Sequence, residues 1–79
     1  MMASSVNNLD LRGIPCPLNY VRSRLALEEL SPGESCYIFL DQGEPREMVM
    51  SGLLGEGYCV EVIQEDSESL KLKVDTSDR

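Results

Sequence analysis

The chain has 79 residues, 42% of them hydrophobic and 27% charged, which is material for one compact core and not for two. Its 14 acidic and 7 basic residues leave a net charge of −7, which serves solubility, disfavours direct binding to nucleic acid, and would draw in a partner with a basic surface. No apolar run approaches the roughly 20 residues that span a bilayer, and Met1 to Asn8 has neither the basic nor the apolar region of a signal peptide, so a cytoplasmic protein without membrane association is expected.

Residues 1–8 and 76–79 are polar and read as flexible ends around a single domain over 9–75. Leu9 to Leu11 reads as a short strand, stopped by Gly13 and by the pair Pro15 and Pro17, which holds Cys16 extended. Pro17 suits the first position of a helix, where its missing amide hydrogen is not needed, and this makes Cys16 the expected N-cap. The helix runs to Leu30, where Ser31-Pro32-Gly33 ends it. It carries two apolar stripes: Tyr20, Ser23, Leu27 and Leu30 on one side, and Leu18, Val21 and Leu25 roughly opposite. The first stripe is expected to be core because the second, if continued, meets Glu28 and Glu29; the second is then either a partly exposed docking face, flanked by Arg22, or the margin of one broad buried face.

Cys36 to Leu40 reads as a buried strand closed by Asp41-Gln42-Gly43. A second helix follows, with Pro45 in its first turn, Val49 and Leu53 one turn apart, and Gly55 and Gly57 at its stop. Tyr58 to Glu65 is a strand with Val60 and Val62 on one side, and after a turn at Ser67 the last strand alternates Leu70, Leu72 and Val74 with Lys71, Lys73 and Asp75. The order βαβαββ implies an α/β (α+β) two-layer sandwich: a mixed four-stranded sheet with both helices on one face.

Three cysteines, Cys16, Cys36 and Cys59, are an odd and widely spaced set, so reduced thiols are expected rather than a disulfide framework. The sequence contains no histidine, which removes the Cys-His pair of cysteine proteases and acyltransferases, and neither zinc-ligand spacing nor any other sign of a metal or cofactor is present. It also lacks Cys-x-x-C, the dithiol of thioredoxin-style exchange. Cys36 alternates with Ile38 and Leu40 and reads as inert core; Cys59 shares a strand face with Glu61 and Ile63 and reads as core or edge packing. Cys16 differs from both. At a helix mouth, with Arg12, Arg22 and Arg24 near in sequence, it is placed to become a thiolate without a base, and thiols in such places fall from about 8.5 to about 3.5–7.5. One activated thiol suffices to carry a persulfide. Asp10 and Arg12 either position the Cys16 loop or form an ordinary surface ion pair.

The run Leu9-Asp10-Leu11-Arg12-Gly13-Ile14-Pro15-Cys16-Pro17, followed by Pro32-Gly33-Glu34 and Glu56-Gly57-Tyr58, resembles the TusA-like (SirA-like) family of small sulfur carriers over nearly the whole chain. The resemblance implies the same two-layer fold, a persulfide on Cys16, sulfur taken from a cysteine desulfurase or another sulfur donor protein, and delivery to an acceptor sulfur-relay protein. Family members serve tRNA thiolation, molybdenum cofactor synthesis or sulfur oxidation. Asp10, Arg12, Gly13, Pro15, Pro17 and Asn19 are the residues expected to support the Cys16 loop, Pro15 and Asn19 being departures from the family pattern. The usual Cys-Pro-x-Pro becomes Cys-Pro-Leu-Asn here, and Asn19 retains a backbone amide that proline would lack, a donor for the thiolate. With Gly43-Glu44-Pro45, this points to a separate branch. The competing readings are a non-catalytic interaction module using Leu18, Val21 and Leu25, with Cys16 a mere helix cap, and a thiol redox sensor at Cys16.

Overall fold

The computed structural model describes residues 8–31 and 33–75. The two ends expected to be flexible, apart from Asn8, and the helix-stopping Pro32 lie outside these residues. Six elements follow in the expected order: β1 Asn8–Asp10, α1 Leu18–Glu28, β2 Ser35–Asp41, α2 Glu44–Gly55, β3 Cys59–Glu65 and β4 Ser69–Asp75.

The sheet order is β1-β2-β4-β3, with β1 parallel to β2 and β4 antiparallel to both its neighbours. β4 therefore enters between two strands that precede it in the chain. Its inward residues face inward residues on both sides: Leu72 opposes Ile38 and Val62, and Val74 opposes Cys36 and Val60. Because side chains alternate along a strand, this one register gathers the apolar set on a single face, and a slip by one residue would turn the set outward. The same register puts Tyr37 opposite Lys73 and Phe39 opposite Lys71 on the other face, where Lys71 lies about 5 Å above both rings.

Both helices cover the apolar face. Leu27 of α1 and Val49 and Leu53 of α2 join Leu11, Cys36, Ile38, Leu40, Leu70, Leu72 and Val74 in one buried cluster. Burying each large aliphatic side chain contributes about 1.5–3 kcal/mol. The helices also touch each other. Gly52 lies against the ring of Tyr20, where a Cβ would sit 2.5 Å from a ring carbon, so glycine is needed for α1 and α2 to approach this closely.

Element ends differ from the sequence expectation by one or two residues. β1 begins at Asn8 and ends at Asp10, although the Leu11 amide still bonds the Phe39 carbonyl at 2.9 Å and continues the ladder. α1 stops at Glu28 rather than Leu30, since the amides of Glu29 and Leu30 bond three residues back in a tightened last turn. A bulge between Val62 and Gln64 shifts the β3 register and leaves Ile63 out of the pairing. The largest difference is at the start of α1: Pro17 is the N-cap, Cys16 lies one residue outside the helix, and the Cys16–Pro17 peptide is cis.

Leu72→Ala, in the middle of the central strand, should lower unfolding stability by about 2–5 kcal/mol in a denaturant titration. Gly52→Ala should also destabilise: overpacking costs about 1–3 kcal/mol, against a helix-propensity gain of about 1 kcal/mol.

Candidate functional site

The segment from Asp10 to Tyr20 turns the chain from the sheet edge into α1, and several bonds fix it. Leu11 is buried, anchoring the turn to the core. The Arg12 guanidinium grips both carboxylate oxygens of Asp10 at 2.9 and 2.8 Å, and the Arg12 amide bonds Asp10 at 3.1 Å. Arg12 also lies 5.2 Å above the Phe39 ring. Gly13, at φ 81°, donates its amide to the Asp41 carboxylate at 2.8 Å, tying the turn to the far end of β2. The Ile14 amide bonds the Leu11 carbonyl.

Pro15 and Pro17 flank Cys16, whose thiol is half-buried. Pro17 itself is exposed, and both proline carbonyls accept bonds from α1: Asn19 N donates to Pro15 O at 3.1 Å and Val21 N to Pro17 O at 3.0 Å. The Asn19 backbone amide, the donor expected for the thiolate, is thus directed to Pro15. The Tyr20 amide is taken too, by the Asn19 side-chain oxygen at 2.6 Å. The donor at the sulfur is instead the Asn19 side-chain nitrogen, 3.4 Å from Cys16 Sγ. Asn19 is fully buried, beside Ser23, whose hydroxyl donates to the Asn19 carbonyl at 2.9 Å. Apolar periodicity placed Ser23 among the core positions and missed Asn19, because a polar amide carries no hydrophobic signal.

Two of the three arginines near in sequence have carboxylate partners. Arg12 pairs with Asp10, and Arg24 pairs with Glu28 at 3.2 Å and Glu56 at 3.5 Å. Arg22 is exposed on α1. Leu18, Val21 and Leu25 are exposed at 42%, 44% and 57%, so the stripe beside Cys16 stands outside the core. The other two thiols are distant in role: Cys36 is buried in β2, where desolvation pushes its pKa up to about 11, and Cys59 is exposed on the edge strand β3.

A depression of about 150 Å³ lies on the open sheet face between Arg12, Phe39 and Lys71, and a shallow groove lies where Tyr20 meets Met48 and Gly52; Cys16 lines neither. Among the described residues no cluster of three or more histidine, cysteine or acidic side chains is arranged to hold a metal, and no helix is long and apolar enough to cross a membrane.

Native alkylation near neutral pH should label Cys16 and Cys59 and spare Cys36, with all three reacting in denaturant, as peptide mass mapping would show. The turn should be sensitive to acid. Hydrogen bonds from Arg12 hold the Asp10 carboxyl down from 3.8 to about 2, so its contribution is complete above about pH 4 and is lost as the pH falls toward 2. Asp10→Asn should therefore flatten part of the acid limb in a plot of unfolding midpoint against pH; Glu65 and Asp66, also held below their ordinary values by Gln42 and Arg46 and by the Glu68 and Ser69 amides, keep the rest.

A search of curated proteins finds no match. Among solved structures, the crystal structure of a SirA-like protein from Desulfitobacterium hafniense superposes with a TM-score of 0.76 at 24% identity, covering 90% of this chain and 97% of that one, a similarity of fold. The family profile described as Sulfurtransferase TusA matches residues 7–75, a span holding every element of the sheet, both helices and the Cys16 turn. The chain belongs to the TusA sulfurtransferase family.

Proposed function

We propose that the protein is a sulfur carrier in which Cys16 accepts a persulfide sulfur from a cysteine desulfurase or a relay partner and passes it to an acceptor. Family membership supports sulfur carriage in general. The observation that carries the assignment to Cys16 is its placement: a half-buried thiol on a braced turn that leads from the sheet edge into α1. A carrier needs such an accessible thiol, since its partners must reach the sulfur in turn.

In loading, the Cys16 thiolate attacks the outer sulfur of a donor persulfide. A new S–S bond forms as the donor's S–S bond breaks, the electron pair leaves on the donor thiolate, and no net oxidation occurs. No metal or base takes part in this exchange. Working in the cytoplasm suits the chemistry, because thiols stay reduced there.

The exposed stripe of Leu18, Val21 and Leu25, with Arg22 beside it, begins two residues after Cys16 and is the surface on which we place the partners. An apolar contact here would position the thiol, while the net charge of −7 favours partners with a basic rim.

Intact-protein mass spectrometry after incubation with a cysteine desulfurase and cysteine tests the reading. A reducible gain of one sulfur atom is expected on the native chain and not on Cys16→Ala; loading that persists in Cys16→Ala would overturn it. Leu25→Glu should raise the KM for the donor protein several-fold while leaving the alkylation rate of Cys16 unchanged, which steady-state loading assays can separate.

A further inference from the structure

Asn19 is a fully buried polar side chain in the first turn of α1. Burying an amide without partners is costly, so its atoms must be satisfied, and both ends are. The Tyr20 backbone amide can only donate, which requires the Asn19 oxygen to face it, at 2.6 Å. That contact fixes the direction of the amide plane and leaves the nitrogen facing Cys16 Sγ at 3.4 Å. The backbone offers no substitute in this turn from residues 19 and 20, whose amides already bond the Pro15 carbonyl and the Asn19 side chain.

We propose that Asn19 is a second functional residue of the site: its side-chain amide stabilises the Cys16 sulfur as a thiolate, and its main effect is on discharge of the carried sulfur. The proposal rests on the sulfur-carrier reading for its discharge step. In discharge, an acceptor thiolate attacks the outer sulfur of the Cys16 persulfide. The acceptor gains an S–S bond, the bond between Cys16 Sγ and the outer sulfur breaks, and the electron pair is left on Sγ, so the acceptor becomes the persulfide with no net redox change. A hydrogen bond donated to the charged form favours that form. It therefore improves Cys16 as a leaving group. In loading the same bond works in two directions, since it raises the thiolate fraction and lowers the nucleophilicity of each thiolate. Discharge has no such opposition.

The test uses the full chain in a Cys59→Ser background, so that native alkylation reports Cys16, with Asn19→Leu and Asn19→Ser compared against the parent. Asn19→Leu keeps the size of the side chain and loses the donor without adding charge beside the sulfur; Asn19→Ser is too short to reach the sulfur and serves if the leucine variant does not fold. Two quantities are read in folded protein: the pH profile of iodoacetamide alkylation, and the rate at which chains loaded from glutathione persulfide discharge to glutathione, followed by intact mass. Both variants should shift the alkylation profile to higher pH and slow discharge at neutral pH by about 3- to 10-fold, the range for losing one hydrogen bond, with a smaller change in loading. Variants that lose thermal stability yet keep the parent's profile and discharge rate would reduce Asn19 to a residue that only closes the first helical turn, and would overturn the proposal. A parent chain that accepts no sulfur, while the variants still shift the alkylation profile, would retire the carrier reading and leave the amide-to-sulfur contact standing.

Discussion

Burial of one face of the sheet beneath two helices is the constraint from which the rest of the structure follows. A chain of 79 residues has few large apolar side chains, and the register of β4 between β2 and β3 places nearly all of the inward-facing ones in one layer. Leu27, Val49 and Leu53 then close that layer from above. With the core consumed in this way, little apolar material is left to line a chamber, and Cys16 lies outside the buried cluster, on the rim.

The rim site is correspondingly economical in parts. Leu11, at the end of the β1 segment, is drawn into the core, and this fixes where the chain must turn. Gly13 is then held against Asp41 and Arg12 against Asp10, so the loop that bears Cys16 is braced from the sheet on one side and by α1 on the other. None of these bonds is strong alone, since solvent screens an exposed ion pair such as Arg12 with Asp10. Together they restrict where the sulfur can be. The exposed leucine and valine stripe next to it is a consequence of the same packing, since α1 can present only one side to the sheet.

The surroundings of the Cys16 sulfur differ from those that its sequence neighbours suggest. Sequence proximity brought Arg12, Arg22 and Arg24 into consideration; the folded chain gives Arg12 and Arg24 carboxylate partners, and Arg22 is exposed on α1. Two backbone amides of the first turn are likewise engaged by local acceptors. The donor at the sulfur is a neutral side-chain amide, close and directed, supplied by a position where apolar patterning showed nothing.

The sequence by itself determined the element order, the inward face of β4, the stripe of α1 turned to the core, and the singular context of Cys16. Each of these is written in local signals: alternation with period two, spacing of three and four, and proline and glycine at turns. Tertiary structure alone decided that β4 lies between β2 and β3, that Gly52 makes room for the Tyr20 ring, that Asp41 receives the Gly13 amide, and that Asn19 turns its nitrogen to the sulfur. The end of α1 and the one-residue displacement of its N-cap belong with these, because hydrogen bonds choose their partners only after the chain has closed on itself. Periodicity records which residues leave water, whereas the direction of a buried amide is set by whichever acceptors and donors the fold brings within about 3 Å of it.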